Sequence, residues 1–113
     1  MTGSHLDIEI LQELRYVMED GFSGLIQSYL QDAQVRLAQL QRVVSASEAD
    51  QIRHIAHSLK GSSANLGANY LAELLRCMEE YGRSARLAEA MALLPTIQQE
   101  YAQVQSSMQA LLK

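Results

Sequence analysis

Five residues of one short stretch have the types and spacing for phosphoryl chemistry: Arg53, His57, Lys60, Gly61 and Ala64. On a helix that advances about 100° per residue, Ile52, Ile55, Ala56, Leu59, Ser63 and Leu66 gather on one side, and His57 falls about 160° from their centre. The imidazole is therefore expected in solvent. Gly61 one turn on and Ala64 two turns on leave little side chain beside it. Glycine in an exposed helix interior costs about 1 kcal/mol relative to alanine. Folding does not explain that choice, whereas close approach by another molecule does. Lys60, three positions on, shares the side of His57. A neutral imidazole is a nucleophile, and its distal nitrogen protrudes farthest. A phosphoryl group placed there carries negative charge that the Lys60 ammonium can screen. On that face no Asp or Glu within one turn is needed for activation, which argues against a self-contained hydrolytic site.

The elements that must position these residues follow from composition and periodicity. The chain has 113 residues, 48% of them hydrophobic and 19% charged, with six Gly and one Pro. It is too apolar for disorder and too poor in turn residues for a many-stranded barrel. Five helical segments are expected. The first runs from Asp7, as cap, to Glu19, with Ile8, Leu11, Leu14 and Met18 as its apolar arc. Gly24 allows a turn before the second, Phe22 to Val44, settles. The third runs from a capping-box-like Ser47 and Asp50 to Leu66, with Gly67 as a left-handed stop. The fourth runs from Tyr70 to Tyr81, with Asn69 as cap and Gly82 as stop. The fifth covers Ser84 to Leu111, and Pro95 is expected to bend or split it. Joined by short turns, the last four form an antiparallel up-down bundle, an all-α fold with the first helix across one end. Residues 1–6 are expected to be a flexible terminus or cloning remnant, with the domain covering 7–113.

The same residues exclude several functions. A net charge of −4 disfavours a nucleic-acid binder, whose affinity comes from neutralised phosphates. No apolar run reaches the roughly 18 residues of a membrane span, and the N-terminus lacks a secretory pattern. The single cysteine, Cys77, rules out an intrachain disulfide, and a cytoplasmic location is expected. His54 and His57 with Cys77 lack a fourth ligand for zinc, and Cys77 projects to the buried side. Cys77 reads as a buried small hydrophobe, and Met18, Met78, Met91 and Met108 read as core. His5 lies in the terminal stretch and has no assigned role. No Gly-rich nucleotide loop and no paired acidic residues for magnesium are present, so no cofactor is expected in this chain and ATP-dependent kinase activity is not.

The stretch from Ala56 to Ala68, AHSLKGSSANLGA, resembles the signature of histidine-containing phosphotransfer domains, the intermediate carriers of phosphorelays. The histidine, the lysine, the first glycine, the small pair and the later glycine all stand at family spacing, and the likeness extends over about Asp7 to Leu112. The resemblance is to a free-standing bacterial member. It implies a four-helix bundle in which His57 accepts a phosphoryl group from a receiver-domain aspartyl phosphate and passes it to another receiver. Lys60 would stabilise the group, and Gly61 would give the receiver clearance. Magnesium is expected in the partner receiver. Some members carry a glutamine in the following helix that bonds the non-reacting ring nitrogen. The corresponding residue here is Glu79, a carboxylate that could orient the ring but would repel a phosphoryl group.

Docking by a receiver should use an apolar surface with polar edges. The candidates are Ile10, Val17, Phe22 and Leu25 of the first two helices. Arg53, Lys60 and Arg76 are candidates for the rim, with Ala64 beside the histidine. Phe22 has a second reading, closure of the bundle end, since aromatics are mostly buried. With all apolar stripes used internally, a monomer is expected. The alternative function is a helical adaptor that binds receivers with no histidine phosphorylation.

Overall fold

The computed structural model describes residues 5–112. Its helices are α1 (Ile8–Met18), α2 (Gly21–Ser45), α3 (Ala49–Asn65), α4 (Asn69–Arg83) and α5 (Leu87–Leu111). α2 packs on α3, α3 on α4, α4 on α5 and α5 back on α2, which closes an antiparallel bundle. The expected core face of α3 is the buried one, with Ile52, Ala56, Leu59 and Ser63 inaccessible. Leu40, Leu71, Leu75, Met78, Ile97, Val104 and Met108 meet it from the other helices.

α1 lies where the starts of α2 and α4 meet the ends of α3 and α5. Asp7 caps it, accepting from the backbone N–H of Glu9 and Ile10 at 3.1 and 3.3 Å. The Asp7 N–H reaches the Gly67 carbonyl at 2.7 Å. At the other end, the Arg15 guanidinium donates to the Leu111 carbonyl and stacks 5.0 Å from the centre of the Phe22 ring. Phe22 itself is buried. It closes the bundle end beneath α1, which corrects its assignment to a docking surface.

The three joints of the bundle share one construction. Ser47, Gly67 and Ala85 each adopt a left-handed backbone, with φ of 58, 79 and 54°. In each joint that residue and the next donate back to the closing turn. The bonds are Ser47 to Val44 and Glu48 to Val43, Gly67 to Ala64 and Ala68 to Ser63, and Ala85 to Gly82 and Arg86 to Tyr81. These are Schellman closures. They correct two expectations. Ser47 ends α2 rather than capping α3, whose N-cap is Glu48, and Asn69 is the first residue of α4, whose N-cap is Ala68. Neither N-cap makes a side-chain cap bond: Ala68 has no polar side chain, and that of Glu48 does not engage the helix. Gly67 alone needs glycine for space as well, since a Cβ there would stand 3.0 Å from Asp7 Cβ.

Other readings also change. Gly24 sits inside α2, which begins at Gly21. Gly82 lies within α4 and is buried, and a Cβ on it would meet Arg53 N at 2.7 Å and Ala49 O at 2.9 Å. It is the contact point of two helices rather than a stop. Pro95 sits inside an unbroken α5. The carbonyl it leaves without a donor belongs to Met91, which is 55% exposed, so water can serve it. Met91 and Met18 are exposed rather than core, and Cys77 is half-buried.

Most of the terminal stretch 1–6 lies outside the described residues, but His5 and Leu6 are packed. Leu6 is in the core, and His5 Nδ1 lies 2.8 Å from both carboxylate oxygens of the buried Glu100. His5 thus has a partner in α5.

Gly82→Ala is expected to destabilise the bundle by about 1–3 kcal/mol, because the added methyl meets backbone that cannot step aside. Ala85→Gly should stabilise it by up to about 1 kcal/mol by relieving the left-handed alanine. Thermal or urea unfolding of the two variants measures both.

Candidate functional site

His57 stands midway along α3 with its side chain 66% exposed. Its neighbours on the same helix follow the expected pattern. Gly61 and Ala64 are exposed, and Lys60 and Arg53 are half-buried. A Cβ on Gly61 would meet nothing within 4 Å, so internal packing places no demand for glycine. Gly24 in α2 has equally open surroundings. What distinguishes Gly61 is its place one turn from the histidine.

The next helix completes the arrangement. α3 and α4 cross closely at Gly82 because that glycine admits the α3 backbone. One turn earlier in α4, the Glu79 carboxylate reaches back across the groove. Its Oε2 lies 2.9 Å from His57 Nδ1, and its Oε1 accepts from Lys60 Nζ at 2.7 Å. Partial burial pushes the Glu79 carboxyl up, but the hydrogen bonds and charges of Lys60 and His57 outweigh this and hold it below the usual carboxylate range. An ionised carboxylate only accepts, so Nδ1 must donate. The proton of the neutral ring therefore sits on Nδ1, and the lone pair on Nε2 faces solvent. The geometry thus selects the tautomer, with the proton on the nitrogen that Glu79 holds.

The other residues singled out from sequence fall in different places. Arg53 lies 3.3 Å from His54 Nε2, and Arg76 pairs with Glu73 at 2.7 Å. Val17 is 75% exposed on α1, whereas Ile10 and Leu25 are half-buried. Tyr16, 85% exposed beside Val17, escaped the sequence reading. It falls outside the apolar arc of α1, and exposure is the property that marks it. The two serines differ in role. Ser62 Oγ donates to the Leu59 carbonyl one turn back at 3.2 Å, as expected. Ser63 Oγ is buried and lies 2.6 Å from the Tyr29 hydroxyl, a bond between α3 and α2 not foreseen. Burial, only partly offset by that bond, raises the Tyr29 hydroxyl to about 12, so it stays neutral. Among the described residues no group of three or more His, Cys, Asp or Glu side chains could hold a metal ion, and no helix is long and apolar enough to cross a membrane.

A solvent-facing histidine in mid-helix, its inner nitrogen held by the neighbouring helix of a four-helix bundle, defines a histidine phosphotransfer bundle. The Hpt domain model matches residues 24–107, and the chain belongs to the Hpt family. The structure is similar to that of histidine-containing phosphotransfer protein B (HptB) from Pseudomonas aeruginosa PAO1, with 36% identity over 96% of this chain and 95% of that one and a TM-score of 0.92. Yeast phosphorelay protein YPD1 is 32% identical over 72% of this chain and 52% of that one, with a TM-score of 0.66. The maize histidine-containing phosphotransfer protein ZmHP2, at 21% identity, covers 99% of this chain and 86% of its own with a TM-score of 0.87, and shows the fold alone. Multistep phosphorelay regulator 1 of Schizosaccharomyces pombe is 29% identical over 73 residues, 65% of this chain, and the match spans 24% of that protein's length. Family membership makes the chain an HPt-type phosphorelay intermediate, a carrier of phosphoryl groups that works with receiver domains.

Because the Glu79 carboxyl is held below its ordinary value of 4.5, the stability it contributes is fully present above that pH and is lost as pH falls through the lowered value. The pairs are partly exposed, so the loss should be under about 1 kcal/mol. Unfolding measured between about pH 5 and pH 3 should show a smaller acid loss for Glu79→Gln than for the wild type.

Proposed function

We propose that His57 is the phosphoacceptor. Its Nε2 attacks the phosphorus of a receiver's aspartyl phosphate, holds the phosphoryl group as a phosphoramidate, and returns it to the aspartate of another receiver. The observation that carries this reading is the exposed imidazole whose Nδ1–H donates to Glu79, which leaves the Nε2 lone pair free. Lys60 supports the phosphoryl group. Its ammonium has three donors, of which Glu79 occupies one. Gly61 leaves room for the receiver's backbone. The receiver supplies the magnesium ion and most of the transition-state stabilisation, so catalysis is assembled at the interface. No residue of this chain is assigned to a metal or nucleotide.

The receiver rests on the face around His57, with Ala64 beside the ring and Arg53 and Arg76 toward the rim. Val17, with Tyr16 and parts of Ile10 and Leu25, supplies apolar contact from the α1 end. The domain so used covers 7–113 and works as a monomer in the cytoplasm.

The test is phosphoryl transfer from a panel of phosphorylated receiver domains. Label should appear on the wild type, stable to base and lost in acid, and be absent from His57→Gln. Lys60→Ala should slow transfer about tenfold, equivalent to ~1.4 kcal/mol, without abolishing it. Gly61→Gln should block docking, and wild-type rates in that variant would remove the clearance argument. A receiver that binds tightly yet never transfers label would favour the adaptor.

A further inference from the structure

Glu79 is a carboxylate where some members of the family carry an amide. Either group accepts the Nδ1 proton of a neutral imidazole. They differ once the ring becomes a cation, and phosphoryl transfer makes it one. The Nε2 lone pair forms the N–P bond, the P–O bond to the donor aspartate breaks, and its electron pair leaves on the carboxylate oxygen. No proton moves. The product is an N-phosphoimidazolium that still carries hydrogen on Nδ1. In the onward step the N–P electron pair returns to Nε2, and the ring departs as neutral imidazole. Loss of the Nδ1 proton to solvent in between would change the leaving group to an imidazolate anion, a far poorer one. Whatever holds that proton keeps the phosphoryl group transferable.

We propose that Glu79 is a positioning residue that retains the Nδ1 proton of phosphorylated His57, so that the loaded carrier stays in its reactive imidazolium form through neutral and mildly alkaline pH. This rests on the reading of His57 as phosphoacceptor. The geometry supports it from both oxygens. Oε2 faces Nδ1 at 2.9 Å, and Lys60 on Oε1 at 2.7 Å favours the ionised carboxylate. The depressed carboxyl agrees with this. The surrounding charges leave Glu79 as the anion in contact with the ring. On α3, Arg53 engages His54. On α4, Arg76 pairs with Glu73 and Arg83 with Glu80. On α2, packed against the other flank of α3, Asp32 and Arg36 pair with each other. Among the described residues near the ring, Lys60 and Arg53 are the cations that oppose retention of the ring proton; the charge of Lys60 is met by Glu79 itself, whereas Arg53 contacts the His54 ring.

The experiment loads the wild-type chain and Glu79→Gln with potassium phosphoramidate, then follows the phosphohistidine 31P resonance from about pH 6 to pH 10, spanning the shift expected near a charged neighbour. A carboxylate favours the charged ring, so the wild-type midpoint for loss of the ring proton should lie about one pH unit or more above that of the variant. Between the two midpoints, transfer to a receiver should be about tenfold faster from the wild type. The wild-type chain unfolded in urea provides a second reference, independent of the variant's folding, and its midpoint should fall below the folded one. Coincident midpoints in the folded wild type, the variant and the unfolded chain overturn the role of Glu79 and leave His57 as phosphoacceptor. Failure to form phosphohistidine at His57 overturns both.

Discussion

The close crossing of α3 and α4 governs the site. Gly82 lets the two backbones approach to a distance that a single methyl group would violate, with Arg53 N and Ala49 O already at 2.7 and 2.9 Å from where it would sit. That approach brings Glu79 within reach of two residues on the neighbouring helix. A wider crossing would leave the carboxylate in solvent and the imidazole free to rotate. The chemistry of an exposed residue thus depends on a buried one, as expected when a side chain is oriented by packing rather than by its own helix.

The division of labour in the site follows from exposure. His57 is mostly in water, and Glu79 is mostly out of it. The less exposed member is satisfied by two donors, so its charge is met without a third partner. The exposed member keeps one nitrogen committed and one free. The phosphoacceptor role proposed for His57 needs both properties. A ring fixed on both nitrogens could not accept a phosphoryl group, and a ring fixed on neither would not present its lone pair reliably.

Around this centre, α1 and the N-terminal residues bind the bundle end together. Asp7 on Gly67, Arg15 on Leu111 and His5 on Glu100 join segments far apart in the chain, and Arg15 also covers Phe22. The most exposed apolar side chains of α1, Tyr16 and Val17, therefore sit on an anchored helix. The docking proposed for this face would therefore use a surface that loses little conformational freedom on binding.

The residues themselves determined the helical class, the outward direction of His57 and the core face of α3, because apolar spacing at the helical period is local information. They also indicated Glu79 through the family resemblance, but not that its second oxygen would take Lys60. Tertiary structure alone decided that pairing and the tautomer, since both depend on how far α4 slides along α3. It decided the joints for the same reason. Ser47 and Asn69 have the chemistry of caps, yet Ser47 lies in the joint that closes α2, and Asn69 falls one position late, inside α4. Gly82 read as punctuation because a glycine that ends a helix and one that admits a neighbour look alike until the neighbour is in place. His5 found Glu100 only once the chain had folded, through a contact spanning 95 positions that no local pattern encodes.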